Sequence, residues 1–142
     1  MRDSLKPGLI FEFQYQVPKN RTVPHLLPES PEFGQMPEVL ASGFMVGLIE
    51  WACIQAINPH LDWPREQTVG TGFQLSHTAP TPPGHTVTIR VELQKVEGRK
   101  LTFAIRAEDE SDPISEGFHE RFVIDAARFI SKVAGKAGQD RQ

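Results

Sequence analysis

Apolar and polar residues alternate near the start of the chain. Phe11, Phe13, Tyr15 and Val17 fall on one side and Glu12, Gln14 and Gln16 on the other, which is the two-residue period of a half-buried strand. At Ser42 the period changes. From there to about Ile57 the chain is apolar nearly all round, with Ser42 as a candidate N-cap and Asn58-Pro59 as a stop, and this predicts one helix about 24 Å long. Apolar on every side, that helix should be enclosed rather than lie on a surface. Alternation then returns. Thr71, Phe73, Leu75 and His77 share a face that should be the inner one; Val87, Ile89, Val91 and Leu93 share another, as do Leu101, Phe103, Ile105 and Ala107. Turn residues around Pro82-Pro83-Gly84, Glu97-Gly98 and Asp112-Pro113 separate these runs, and a last strand extends from about Ile114 to Ile124. Connections that short imply antiparallel pairing. A short amphipathic helix over Ala126 to Val133 follows, and the tail KAGQDRQ should fray.

Between the first strand and the long helix the pattern breaks. Five of the 12 prolines lie between Pro18 and Pro37; proline fixes its own φ and biases the preceding residue away from helix, so an ordered, stiff loop with one short turn is expected. Val23, Leu26, Leu27, Phe33 and Met36 argue against disorder. A long ordered loop in a compact domain is usually a lid or a binding loop. Strand, long loop, buried helix and four antiparallel strands together define an α+β protein in which a twisted antiparallel sheet wraps around a long central helix. That is the hotdog arrangement. It is expected as a single domain over residues 1–142, with an ordered core over about 8–133 and a short C-terminal tail.

Composition narrows the function classes. The 15 basic and 18 acidic residues give a net charge of −3, the wrong sign for a protein that binds nucleic acid electrostatically. Cys53 is the single cysteine, so there is no internal disulfide, and no Cys/His spacing resembles a zinc site. A reducing compartment fits. The longest apolar stretch, Phe44 to Ile57, contains Glu50 and Gln55 and is shorter than the roughly 18 apolar residues that a membrane span needs. MRDSLKPGLI carries charge and proline where a signal peptide has its apolar region, so a cytoplasmic protein is expected.

Glu50 is the most informative residue. It sits among Leu48, Ile49, Trp51, Ala52 and Cys53 on a helix with almost no polar face, where desolvation would push a carboxyl toward the range useful for acid or base work. A structural ion pair or a wet helix edge is the plainer explanation. Gly43, Gly47, Glu50 and Ile54 form one helical stripe, and its glycines admit either a slender ligand or a closely packed neighbour, including a second helix across a dimer. His77, inward at a strand end, suits proton transfer or a satisfied structural role. Gly70 and Gly72 suggest a bulge, or a place where a ligand meets backbone N–H groups. Ser42 offers a cap or a hydroxyl directed at Glu50, without the Gly-x-Ser-x-Gly elbow of a serine hydrolase. Cys53 reads best as a core thiol. His119 and Arg121 share a strand face, and Arg121 suits a carboxylate or a phosphate. Arg128, Lys132 and Lys136 form a basic stripe that is either solvated or directed at a nucleotide phosphate.

On these residues the chain resembles the fluoroacetyl-CoA thioesterase family of hotdog enzymes. The likeness rests on HLLPESPEF (His25 to Phe33), PEVLASGFMVGLIEWAC (Pro37 to Cys53), SHTAPTPPG (Ser76 to Gly84), VEGRKL (Val96 to Leu101) and HER (His119 to Arg121), and covers about residues 8 to 133. It implies hydrolysis of a small acyl-CoA to a carboxylic acid and free CoA in a homodimer with active sites near the subunit interface, using no metal and no cofactor beyond the CoA of the substrate. The family's catalytic hydroxyl, glutamate and histidine fall on Ser42, Glu50 and His77. Its substrate-contacting glycine and arginine fall on Gly70 and Arg121, and Phe33 matches a residue of the lid region. Two positions depart from the best-known member: Ser42 replaces a threonine, losing the methyl that restricts its rotamer, and Met36 replaces a gating phenylalanine. Methionine covers a pocket but specifies its shape less well than a ring, so a broader acyl preference than fluoroacetyl is expected.

Thioester hydrolysis needs donors for the developing oxyanion, which the backbone near Gly70 or at the start of the long helix would supply. Glu50 would attack the carbonyl or activate water, His77 would shuttle a proton toward the departing sulfur, and Ser42 would orient Glu50 or the thioester. Two alternatives keep the fold: an enoyl-CoA hydratase, which would convert its substrate without releasing thiol, and a non-catalytic acyl-CoA binding module, which would bind without turnover.

Overall fold

The computed structural model describes residues 1–139. Five strands, β1 (Ile10–Gln16), β2 (Glu66–Leu75), β3 (Thr86–Glu97), β4 (Lys100–Glu108) and β5 (Pro113–Asp125), form one antiparallel sheet in the order β1-β3-β4-β5-β2. The alternation dictates its faces. Val87, Ile89, Val91 and Leu93 of β3 and Leu101, Phe103, Ile105 and Ala107 of β4 are buried, and the β3–β4 hairpin turns at Gly98, whose φ of +64° favours glycine. Each large side chain of that set contributes on the order of 1.5–3 kcal/mol by leaving water.

The long helix, α2 (Ser42–Ile57), has the predicted bounds and stops at a short 3-10 turn over Asn58–His60. It is enclosed on one side only. Met45, Leu48, Ile49, Ala52, Cys53, Ala56 and Ile57 are buried in the core, whereas Gly43, Gly47 and Trp51 are exposed. The sheet covers one side of the helix, so the expectation of an enclosed helix is corrected: within the chain, the side that carries Gly43, Gly47 and Trp51 lies at the surface. The N-cap is Ala41 rather than Ser42; Ala41 caps through its backbone alone, and Ser42 is the first helical residue. Its hydroxyl is therefore not used for capping.

The proline-rich loop holds more structure than one turn. Two 3-10 turns, Lys19–Arg21 and Val23–His25, precede a short helix, α1 (Pro31–Gly34), capped by Ser30 Oγ accepting from Phe33 N–H at 3.1 Å. The loop is pinned by a bridge between Thr22 and Leu40, both buried. At the other end of the chain, α3 (Ala126–Gln139) runs six residues past Val133, so the start of KAGQDRQ is helical; its last three residues lie outside the described ones. Among the described residues no helix is long and apolar enough to cross a membrane.

Candidate active site

β2 carries the predicted bulge. Gly70 pairs with Arg121 and Gly72 with Glu120, leaving Thr71 as the extra residue. This reverses the side-chain parity between Gly70 and Phe73. Thr71 therefore leaves the inner face: its hydroxyl donates to Glu120 Oε2 at 2.9 Å, while Phe73 stacks on His119 at 4.4 Å between ring centroids. The expectation that Thr71 and Phe73 share a face is corrected by that one inserted residue. His77 lies two residues beyond the end of β2.

Arg121 of β5 is 3% exposed, and every N–H-bearing nitrogen of its guanidinium has a partner. Nε donates to Thr68 Oγ1 at 2.8 Å, Nη2 to the Thr68 carbonyl at 2.8 Å, and Nη1 to Glu50 Oε1 and His119 Nε2, each at 3.1 Å. His119 Nδ1 lies 2.8 Å from the Gly72 carbonyl. A carbonyl only accepts, so Nδ1 carries the proton and Nε2 is the acceptor for Arg121. Burial holds the His119 pKa below its usual value and Arg121 pushes the same way, against the Gly72 bond. The ring is neutral. Glu50 has its side chain 34% exposed, so one carboxylate oxygen is fixed by a buried cation while the group still faces outward. Gly70 adjoins it so closely that a Cβ there would lie 2.5 Å from Glu50 Oε1.

A second pair forms at the start of α2. Ser42 Oγ and His77 Nδ1 are 2.7 Å apart, and burial lowers the His77 pKa. Ser42 thus engages His77, not Glu50, which lies two turns along the helix, about 12 Å away at 1.5 Å per residue. The two pairs flank the exposed stripe of Gly43 and Gly47. A cleft of about 190 Å³ beside that stripe is lined by Tyr15, Arg21, Phe44 and Leu48 together with the two glycines.

The remaining candidates are placed as follows. Phe33 is half-buried in α1 and Met36, just after it, is 49% exposed; neither takes part in the hydrogen bonds that build the two pairs. Leu26 of the same loop lies over the first turn of α2, where a Cβ on Gly43 would come within 3.0 Å of it. Cys53 is fully buried, and burial pushes its thiol far above the usual range, so it is a core residue. Arg128, Lys132 and Lys136 are exposed on α3. Thr68, which orients Arg121, has no sequence signal, while the shared parity of His119 and Arg121 does indicate their association.

A helix laid across one face of a curled antiparallel sheet, with its chemistry on the helix and the facing strands, is a hotdog protein. The same fold recurs in a Thermus thermophilus hypothetical protein of the thioesterase superfamily (24% identity, 98% of both chains, TM-score 0.85) and in a hot-dog-like protein from Thermanaerovibrio acidaminovorans (20% identity, 92% of this chain and 91% of that one, TM-score 0.77). Residues 23–127 match the family of FlK, the fluoroacetyl-CoA-specific thioesterase. The fluoroacetyl-CoA thioesterase of Streptantibioticus cattleyicolor is 50% identical over 136 residues, 96% of this chain and 97% of that one. A solved structure of the fluoroacetyl-CoA thioesterase FlK superposes with a TM-score of 0.91 at 50% identity, covering 94% of this chain and 98% of that one. Further FlK structures include a threonine-to-serine variant with acetyl-CoA and a phenylalanine-to-alanine variant with fluoroacetate and CoA. The chain belongs to the fluoroacetyl-CoA-specific thioesterase family, and with it to the acyl-CoA thioester hydrolases.

Proposed function

We propose that the protein hydrolyses small acyl-CoAs at a site completed by a second copy of the chain, with Glu50, His77 and Ser42 as the reacting groups. The observation that carries this is the carboxylate of Glu50, held by buried Arg121 and left open on the face of α2 that the sheet does not cover. Ser42 and Glu50 are equidistant from Val46. Two α2 helices crossing antiparallel at Val46 and Gly47, where exposed Gly47 permits close approach, would therefore set each Glu50 beside the partner's Ser42 and His77.

In that arrangement the thioester carbonyl lies between the Glu50 carboxylate and the first turn of the partner's α2. The N–H groups there lack a side-chain cap and suit the developing oxyanion. Glu50 either attacks the carbonyl carbon, giving a mixed anhydride that water then opens, or takes a proton from the attacking water. Both routes break the C–S bond, place a proton on sulfur through His77 and release the carboxylic acid and CoA. Arg121, enclosed by its own partners, acts on substrate through Glu50. Phe33 and Met36 cover the acyl pocket from the loop, and no cofactor is needed beyond the CoA of the substrate. Reduced, buried Cys53 fits a cytoplasmic setting.

An FlK variant with serine for threonine holds acetyl-CoA, and one with alanine for phenylalanine holds fluoroacetate and CoA, which supports binding of such ligands with serine at Ser42 and without a phenylalanine at Met36. Thiol release across short-chain, halogenated, branched and aryl acyl-CoAs tests the reaction; enoyl-CoA conversion without thiol would overturn it. Mixing inactive Glu50→Gln and His77→Ala chains tests the shared site, because a mixed dimer regains one intact site. Recovery of about one quarter of parental activity is expected from statistical pairing, and none if both groups act within one chain.

A further inference from the structure

Nε2 of His77 and Oγ of Ser115 are both buried and have no hydrogen-bond partner among the described residues. Buried polar atoms are seldom left so, and each asks for a physical reason. The two belong together. β2 ends at Leu75, yet its pairing with β5 runs on: Ser76 N–H donates to the Glu116 carbonyl at 3.1 Å and Thr78 N–H to the Ile114 carbonyl at 2.8 Å. His77 therefore lies directly opposite Ser115, in the non-hydrogen-bonded position where facing side chains come closest. On its other side Ser115 pairs with Ala107, which lies on the buried face of β4. The shared face is thus the inner one, where α2 brings Ser42 onto His77 Nδ1. Ser115 is 3% exposed.

We propose that Ser115 is a positioning residue for His77: its oxygen holds one buried water that accepts the Nε2–H, and so fixes the tautomer that leaves Nδ1 free to accept a proton from Ser42. The inference rests on the proton-shuttling reading of His77. A neutral imidazole has one N–H and two ring nitrogens, and the partner of one decides the role of the other. With Nε2–H bonded through that water to Ser115, Nδ1 is a base toward the exposed side of the site. When Nδ1 takes up a proton, the imidazolium keeps its inner N–H bonded instead of presenting a bare donor to the core. This is the orienting function that a third group performs for the base in nucleophile–base pairs.

The test is nitrogen-15 NMR of the imidazoles, with the His77 signals assigned by their loss in His77→Ala, alongside steady-state kinetics. In the parent the His77 proton should reside on Nε2. Ser115→Ala should redistribute it toward Nδ1 and lower kcat about 3- to 10-fold, the scale of one neutral hydrogen bond, with KM changed less than about twofold. Ser115→Thr, which keeps the hydroxyl, should restore both. An unchanged tautomer in Ser115→Ala overturns the proposal, as does a changed tautomer with unchanged kcat. Full activity in His77→Ala would overturn it together with the shuttle reading, and the tautomer result shows separately whether the Ser115 bond itself exists.

Discussion

Gly70→Ala separates the chemistry of the site from the stability of the fold. A Cβ at Gly70 would fall 2.5 Å from Glu50 Oε1, 3.2 Å from Phe73 Cζ and 3.3 Å from His119 Cε1. The ring contacts are tight but tolerable, whereas the carboxylate must retreat by roughly 1 Å to regain van der Waals contact. Glu50 is partly exposed and can retreat, so overpacking should cost about 1 kcal/mol, below the usual 1–3 kcal/mol. Alanine also lowers the entropy of the unfolded chain, offsetting about 0.5 kcal/mol of that. A fall in Tm of no more than about 5 °C is expected. Catalysis is less forgiving, because the retreat strains the 3.1 Å bond to Arg121 that aims the carboxylate, and a misplacement of about 1 Å costs roughly 100-fold in rate. Thermal melting and thiol release on the same sample provide the comparison. Activity within threefold of the parent would refute the claim that Glu50 must be held where it is; a large loss of Tm would show that the glycine serves packing instead.

Glu50→Gln and His77→Ala should each lower kcat/KM by about 100-fold or more, the scale of a general acid or base; near-parental rates in both would remove them from the mechanism. Met36→Phe should narrow acyl selectivity, read as the spread of kcat/KM across acyl-CoAs, and an unchanged profile would exclude Met36 from the pocket. Burial holds both His77 and His119 below the usual imidazole pKa. As pH falls through about 6.5 the unfolded chain therefore takes up protons that the folded one refuses, and Tm should decline from there until pH passes the lowered folded values. A Tm that is flat or rising from pH 7 to 5 would contradict the buried, neutral assignment.

The elements legible in the sequence were those set by local patterning. α2 shows both ends because an unbroken apolar run meets Asn58-Pro59, and β3 and β4 show their faces because strict alternation leaves no other register. The 3-10 turns of the proline-rich loop were not legible, since each closes on its own backbone without hydrophobic periodicity. Alternation placed Thr71 on the wrong face because a bulge adds one residue without changing composition; Gly70 and Gly72 were its trace. Ser42 resembled a cap because a hydroxyl at a helix start has two uses that differ by one position. The Glu50–Arg121 pair, 71 residues apart in sequence, depends on how β2 and β5 register against α2. That is tertiary information, hinted at by the shared parity of His119 and Arg121, by the fitness of arginine for a carboxylate, and by the family resemblance that puts Glu50 and Arg121 in one site.

The Arg121 cluster also explains why β2 carries a bulge at all. Burying a guanidinium costs several kcal/mol unless its donors are met, and an apolar side chain of similar volume would stabilise a core at least as well. Amid Leu101, Phe103 and Val123 such a group is better accounted for by what it holds than by stability. It holds Glu50, and it can do so only because the extra residue Thr71 lets Gly70 lie opposite Arg121 while the Gly72 carbonyl takes the Nδ1–H of His119. That bond makes His119 Nε2 an acceptor, so Arg121 Nη1 is shared between a neutral ring and the carboxylate. Were His119 protonated, Nε2–H would confront Nη1–H donor to donor, and the arginine would have to shift away from Glu50. The tautomer of His119 and the aim of the Glu50 carboxylate are thus two consequences of a single inserted residue.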